Sequence, residues 1–284
     1  MINLKKVSII ALGLLIGGVI GILLTLPSVN KSEWVTEEKL INDEEFMNIE
    51  VMTNNAEINF LPTNDDTAKV ELTGNNSNYL LSTDVKDSTL LISVKNPQKK
   101  LFQFNFLSHT LSLTVYVPEK LYETIKLESN NGRIHADNIE VREIGVKSDN
   151  GRIELSNVMG DRVTAIADNG AIELKGVSAP TVSVRTKNGA ILLEDIDGEI
   201  IGKTNNGRIS LLTKQMNDPL DLATDNGRIQ IQTEEEPTNA TILVNTANGR
   251  VDVFGSSSRN AVSGNGDNMI QLTTANGSVT IEKK

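Results

Sequence analysis

Alternating apolar and polar residues run along most of the chain beyond residue 45, and they recur around a repeated Asn-Gly motif. The motif reads Ser/Thr/Ala-x-Asn-Gly-x-Ile/Val and occurs eight times, at separations of 19, 19, 19, 18, 20, 22 and 28 residues. Its asparagines are Asn131, Asn150, Asn169, Asn188, Asn206, Asn226, Asn248 and Asn276. A period this regular is typical of an architecture built by stacking one structural unit.

The residues around each Asn-Gly pair predict two half-buried β-strands in every repeat. In the second copy, Ile144 and Val146 precede the turn and Ile153 and Leu155 follow it, with polar residues between them. A period of two on both sides of a turn places the apolar residues on one face of each strand. In the first four copies one further apolar residue predicts a third, shorter inward-facing segment. These residues are Ile139, Val158, Val177 and Ile196.

Two all-β architectures fit this pattern. An Asn-Gly pair can close a two-residue hairpin, which would give an antiparallel meander. Alternatively, each unit of about 19 residues is one coil of a parallel β-solenoid with an Asn-Gly corner. The near-constant period favours the solenoid, because a coil must close on itself at every turn. We then expect a ladder of asparagines and of glycines with positive φ, and eight stacked coils spanning ~35–40 Å, with inserts accounting for the last two spacings.

Residues 7–26 form an uncharged apolar stretch that predicts an N-terminal transmembrane helix. Twenty helical residues span about 30 Å, the thickness of the hydrocarbon layer, so the lipid bilayer is the expected partner of this segment. Lys5 and Lys6 precede it, which predicts a cytoplasmic N-terminus and an extracytoplasmic C-terminal domain. A cleaved signal peptide is the alternative, but no small-residue cleavage site follows the stretch. Gly13, Gly17 and Gly21 would permit close helix pairing, and hence a homo-oligomer; the alternative is that glycine is simply frequent in membrane helices.

The chain divides into four segments on these patterns. Residues 1–29 are a cytoplasmic stub and the anchor, 30–45 a tether, 46–128 an irregular β region that caps the solenoid, and 129–284 the regular repeats. Within the irregular region, the Asn54-Asn55-Ala56 stretch is a degenerate copy of the turn. The same region places Phe102, Phe104 and Phe106 on one face of a strand, either as part of the cap or as a surface for a partner or a second copy.

Composition narrows the possible functions. The formal net charge of −10 argues against a nucleic-acid partner, and the absence of cysteine excludes a disulfide scaffold and a thiolate zinc site. The sequence carries no hydrolase, metalloprotease or nucleotide-binding motif, which predicts a protein that is not an enzyme and uses no cofactor or metal. His135 falls at an outward-facing position, and the aspartates that precede some turns are ordinary turn residues.

One position of the repeat is cationic in five copies. It follows the turn glycine and is occupied by Arg133, Arg152, Arg208, Arg228 and Arg250. Stacked coils would align these arginines along one corner, where guanidinium groups could bind phosphate or carboxylate groups of teichoic acid or another anionic wall polymer. The alternative is that each arginine pairs with an acid of a neighbouring coil, as Arg152 could with Glu154 or Asp149.

The early Asn54-Asn55-Ala56-Glu57-Ile58 turn, the Leu113-Thr114-Val115-Tyr116-Val117-Pro118 strand and the repeated Asn-Gly turns together carry a family resemblance. The chain resembles the bacterial putative-adhesin family of unknown function, and within it the membrane-anchored LiaG-like proteins of Gram-positive bacteria. The resemblance implies a β-solenoid at the cell envelope and an association with cell-wall-antibiotic stress operons. We expect a non-enzymatic envelope protein that contacts a wall polymer or an envelope protein. An oligomeric scaffold and a polysaccharide-active enzyme are the alternatives.

Overall fold

A computed structural model describes residues 35–42, 45–74, 79–95 and 111–284. Within these ranges the chain forms twenty β-strands and no helix. The strands that precede the regular repeats are β1 (Val35–Ile41), β2 (Asn48–Thr53), β3 (Glu57–Thr63), β4 (Ala68–Gly74), β5 (Leu80–Lys86), β6 (Thr89–Lys95), β7 (Leu111–Pro118) and β8 (Tyr122–Ser129). Those of the central repeats are β9 (Ile134–Ser148), β10 (Ile153–Ala167), β11 (Ile172–Thr186) and β12 (Ile191–Asn206).

Shorter strands form the C-terminal part of the chain. They are β13 (Ile209–Thr213), β14 (Leu220–Asn226), β15 (Ile229–Thr233), β16 (Ala240–Asn248), β17 (Val251–Val253), β18 (Asn260–Ser263), β19 (Asn268–Asn276) and β20 (Val279–Lys283). Each coil is divided here into separate strands, and in the loop between β13 and β14 the side chain of Met216 is buried in the core.

The central strands stack as parallel coils. Each of β9 to β12 runs from one Asn-Gly corner to the next, and Ile153 pairs in register with Ile134 on one side and Ile172 on the other. We call the segments before the corners the leading face, as in residues 144–148, and those after them the trailing face, as in residues 153–156. The predicted all-β parallel solenoid with 19-residue coils is confirmed.

Buried aliphatic residues fill the interior of the coils. Ile144 and Val146 of the leading face and Ile153 and Leu155 of the trailing face are at most 2% exposed. The predicted third inward-facing segment is also present. Its residues Ile139, Val158, Val177 and Ile196 are all buried. With few aromatic side chains available, β-branched and leucine side chains stack on their equivalents in the next coil and supply the apolar burial that stabilises the fold.

At the C-terminal end, the last two coils are interchanged relative to the sequence. On the leading face, Leu220 of β14 pairs with Ile270 of β19, and Ile270 in turn pairs with Ile242 of β16. The trailing face follows the same order, since β15 and β17 both pair with β20. The coil of Asn276 therefore lies between those of Asn226 and Asn248, so the last two coils do not stack in sequence order. Strand β18 pairs antiparallel with the outer edge of β16. The chain then returns as β19, which pairs in parallel with the inner edge of β16.

The irregular N-terminal region contributes parallel coils and antiparallel end strands. Strand β2 lies in parallel between β6 and β8, and β3 lies between β7 and β9. The degenerate Asn54-Asn55-Ala56 turn is thus a true coil, stacked on that of Asn131. Beyond it, β5 pairs antiparallel with β6, β4 with β7, and β1 with β4. These antiparallel strands cover the end of the parallel stack.

Strand β1 lies inside the segment that the sequence predicts to be a tether, residues 30–45. It pairs with β4 over seven residues, from Val35 opposite Gly74 to Ile41 opposite Ala68. Ile41 is buried in the core. Residues 35–41 of this segment are therefore an edge strand of the sheet.

Candidate functional site

The Asn-Gly corners form one continuous ladder along the rod. Among the described residues, nine asparagines are joined by eight side-chain hydrogen bonds, in each of which Nδ2 donates to Oδ1 of the next asparagine toward the N-terminal end, at 2.7–3.0 Å. In spatial order they are Asn55, Asn131, Asn150, Asn169, Asn188, Asn206, Asn226, Asn276 and Asn248. The predicted asparagine ladder is confirmed, and its bonds all point in one direction.

The turn glycines are required by close stacking rather than by a positive φ. None of the eight motif glycines has a positive φ, so that part of the sequence-based expectation is wrong. A Cβ on Gly170 would instead overlap the carbonyl oxygen of Gly151 in the preceding coil, and the same holds at every motif glycine. The first described copy tolerates Ala56 at this position, and Ala56 supplies the carbonyl that lies against Gly132.

Buried hydroxyl groups support the corner from inside. The residue two positions before the asparagine points inward and is Ser or Thr in every motif copy except that of Asn169, where it is Ala167; Thr186 is fully buried. Its Oγ1 donates to the carbonyl oxygen of Gly170 at 3.0 Å, and Thr224 bonds Gly207 in the same way. Because buried polar groups are costly without partners, these bonds hold Thr186 and Thr224 at a fixed height above the preceding corner.

The arginine position forms a row on the outside of the same corner. Because the last two coils are interchanged, its spatial order is Arg133, Arg152, Ala171, Ala190, Arg208, Arg228, Ser278 and Arg250. The two arginines nearest the N-terminal end have acidic partners. Arg133 lies 3.9 Å from Glu57, and Arg152 binds Glu154 at 2.8 Å and also Glu173 of the next coil.

The other three arginines of the row are exposed and form no ion pair with the part of the chain that the structure describes. Arg208 and Arg228 lie on directly stacked coils, so their Cα atoms are about 4.8 Å apart. Arg250 lies on the terminal coil, separated from Arg228 by Ser278. The structure thus places the five predicted arginines in one row. Arg133 and Arg152 have acidic partners, and Arg208, Arg228 and Arg250, which we call the free group, have none in the described structure.

The central coils have a second corner, directly before the third inward-facing segment. Asn138, Asn157, Gly176 and Asp195 all have φ between 50° and 62° and recur every 19 residues. These residue types adopt the left-handed region most readily, so their shared period was the available signal. Beside this corner lies a groove of about 620 Å³, bounded on the N-terminal side by Pro62, Pro118 and Tyr122.

Tyr122 is the most deeply buried phenol near this groove. Its hydroxyl donates to the carbonyl oxygen of Pro118 at 2.9 Å, and its ring stacks on Phe46 with centroids 6.2 Å apart. Burial raises the pKa of the Tyr122 hydroxyl well above its ordinary value. These contacts are those of a structural residue that closes the N-terminal end of the core.

The remaining chemically interesting side chains do not assemble into a site. His135 faces outward as predicted, and its buried Nδ1 has no hydrogen-bond partner and lies 3.8 Å from Glu154 Oε2. Asp168, one of the turn aspartates, accepts a bond from Lys187 at 2.8 Å. Across the described ranges, no group of three or more His, Asp or Glu residues is placed to hold a metal ion.

Two expectations fall on other parts of the chain. Phe102, Phe104 and Phe106 lie outside the described residues, as does the apolar stretch 7–26. Among the residues that are described, no helix is long and apolar enough to cross a membrane.

The parallel coils and their Asn-Gly corners agree with the match to a known family, which spans residues 46–282. The chain belongs to the Toastrack DUF4097 family. No match was found among curated proteins.

Several solved structures are similar to this chain. A putative adhesin from Bacteroides fragilis NCTC 9343 has a TM-score of 0.54 and 16% identity, over 89% of this chain and 97% of that chain. A putative adhesin from Parabacteroides merdae ATCC 43184 has a TM-score of 0.46 and 12% identity, over 89% and 96%. A putative lipid binding protein from Parabacteroides distasonis ATCC 8503 has a TM-score of 0.42 and 14% identity, over 88% and 96%. At 16% identity, the likeness to the Bacteroides fragilis structure shows the fold alone.

Proposed function

We propose that this Toastrack protein is a non-enzymatic binding protein of the cell envelope, anchored by residues 7–26, whose arginine row contacts an anionic wall polymer. The observation that carries the proposal is the free group formed by Arg208, Arg228 and Arg250, three exposed guanidinium groups without an acidic partner in the described structure. On a chain with a net charge of −10, such a group favours a local anionic ligand over general adsorption.

The architecture supports a binding role in a second way. The asparagine ladder and the buried threonines fix the spacing of successive coils, so Arg208 and Arg228 are held in register before any ligand arrives. Ordering these side chains on binding then costs less free energy than it would on a mobile loop. Guanidinium groups form paired hydrogen bonds with phosphate and carboxylate oxygens, which are the anionic groups of wall polymers.

The binding experiment uses the full-length protein in detergent micelles and purified cell wall at low ionic strength. The double variant Arg208→Ala/Arg228→Ala should bind at least about fivefold more weakly than the natural chain, because charge-assisted bonds are lost. Arg185→Ala is the matched control, since Arg185 is also exposed and has no ion pair in the described structure, but lies on the leading face. Equal binding by the double variant and the control would refute the arginine row as the contact.

The proposed topology has a direct test, because the chain contains no cysteine. Ser257 lies in an exposed loop at the C-terminal end of the rod, so a Ser257→Cys variant carries one accessible thiol. A membrane-impermeant maleimide should label this thiol in intact cells, and protection until lysis would place the domain in the cytoplasm.

The proposed link to envelope stress predicts that transcription of the gene rises when cells are treated with a cell-wall antibiotic.

A further inference from the structure

A shallow groove lies on the outer surface of the trailing face, next to Arg208 and Arg228. Its volume is about 230 Å³, and its floor includes Leu192, Ser210, Leu212, Gln230 and Gln232. The floor is continuous because Ser210 pairs with Leu192 on one side and with Gln230 on the other. Alternate residues of a strand share a face, so the groove continues the line that begins at the two arginines.

Acidic residues on the N-terminal side of the groove already have cationic partners. Glu173 binds Arg152, and Glu194 binds Lys175 at 2.8 Å. The carboxylates at this side are therefore largely neutralised within the protein, and Arg208 and Arg228 remain as adjacent cations without such partners in the described structure. The resulting surface is cationic at the corner, and the five floor side chains are themselves uncharged, with the Glu282 carboxylate beside Gln230 and Gln232.

The groove floor combines donors, acceptors and methyl groups over a short distance. From Arg208 to Leu212 the strand advances about 13 Å, with Ser210 halfway. The side-chain amides of Gln230 and Gln232 both donate to Glu282 Oε1, at 3.1 and 2.9 Å, and these bonds fix their orientation. A ligand segment with hydroxyl groups could bind the polar atoms while its carbon atoms contact Leu192 and Leu212.

We propose that this groove binds the neutral, hydroxyl-bearing units of an anionic polymer whose charged groups bind Arg208 and Arg228. This inference rests on the proposed function and narrows its ligand to polymers in which uncharged units separate the charges. A polyanion without such units would place charges over the leucine side chains and near Glu282, where water is displaced without a compensating cation. The groove floor therefore favours the neutral units of the polymer, while the two arginines favour its anionic groups.

The test compares two probes on full-length protein in detergent micelles: poly(glycerol phosphate), which has neutral polyol units, and inorganic polyphosphate, which has none. The groove variants are Leu192→Ser and Gln230→Ala. Each should weaken poly(glycerol phosphate) binding about three- to tenfold and change polyphosphate binding by less than about twofold, because lost hydrogen bonds and apolar contacts concern only the spacer. Arg228→Ala should weaken binding of both probes.

A matched control is Ile201→Ser, which replaces an apolar, partly exposed residue of the same strand β12 on the leading face and should leave both affinities unchanged. If the groove variants leave poly(glycerol phosphate) binding unaltered, or weaken both probes equally, while Arg228→Ala still acts, the groove proposal is overturned and the proposed function stands. If the natural chain binds neither probe, or Arg228→Ala binds both as the natural chain does, both proposals fall.

Discussion

The side-chain amide of Asn276 donates to Oδ1 of Asn226 at 3.0 Å, although 50 positions separate the two residues in the chain. Asn248, which comes earlier in sequence, lies on the far side of Asn276 and donates to it at 3.0 Å. The coil formed last by the chain is thus enclosed between two coils formed before it. Strands β19 and β20 consequently have parallel partners on both edges.

Engineered disulfides can test this order directly. Positions 225, 275 and 247 are equivalent in three successive coils, so 225 and 275 are about 4.8 Å apart and 225 and 247 about twice that distance. Asp225→Cys/Ala275→Cys should form a disulfide, and Asp225→Cys/Ala247→Cys should not, because bridged Cα atoms lie within about 7 Å. Non-reducing mass spectrometry of the purified variants reads the result, and the reverse pattern would indicate stacking in sequence order.

The glycine stack predicts a sharp contrast between two alanine substitutions. Gly170→Ala places a Cβ inside the carbonyl group of Gly151, so the coils must separate, and we expect a loss of about 2–4 kcal/mol in the free energy of unfolding. At Gly145 a Cβ meets nothing within 4 Å. Gly145→Ala should therefore change the free energy of unfolding by less than about 1 kcal/mol. Urea unfolding followed by circular dichroism compares them, and similar losses would contradict the stacking argument.

Position within the asparagine ladder should determine the cost of losing one amide. Asn169 donates to Asn150 and accepts from Asn188, whereas Asn248 at the terminal coil only donates to Asn276. Asn169→Ala should cost about 1–2 kcal/mol and Asn248→Ala about 0.5–1 kcal/mol, since each exchanged hydrogen bond contributes modestly. The midpoint temperatures of thermal unfolding rank the two variants, and the larger decrease is expected for Asn169→Ala. A larger effect at Asn248 would show that the ladder does not act as a chain of paired bonds.

Tyr122 should cause the stability of the folded protein to fall at alkaline pH. Its folded-state pKa is raised by burial, so the folded protein retains the proton at a pH where the unfolded chain releases it. The associated stability is fully present below about pH 10 and is lost as the pH rises further. Tyr122→Phe should reduce stability at pH 7 by about 1 kcal/mol, through loss of the bond to Pro118, and should reduce the alkaline decline. An unchanged decline above pH 10 would assign it to other groups.

Three features could be predicted because the same residue types recur at the same positions in each repeat: the coil period, the inward positions and the asparagine ladder. Ile153 and Leu155 sit at the same distances from their asparagine as Ile172 and Leu174 do from theirs, so errors in one copy are corrected by the others. The turn glycines were assigned a wrong cause, because the sequence shows that glycine is needed but not whether φ or a neighbouring carbonyl requires it.

The order of the last coils could not be predicted from the residues. Leu220/Leu222, Ile242/Val244 and Ile270/Leu272 present equivalent inward side chains, so any of these strands could pair with either of the others. What decides is the path of the intervening chain, including the antiparallel return through β18. Likewise, the sequence allowed Arg152 to pair with Glu154, but Glu173 becomes a partner only through the register of the next coil.

The enclosed C-terminal coil also affects how such a rod can change in length during evolution. A new coil inserted directly after β20 would find both edges of the adjacent coil already occupied, by β15 and β17. A duplication of residues 153–171, by contrast, adds one complete coil with its own asparagine, glycine and inward aliphatic residues. It would lengthen the molecule by about 4.8 Å and leave both ends intact. Differences in rod length among related proteins should therefore arise from gains and losses of whole coils in the middle of the chain.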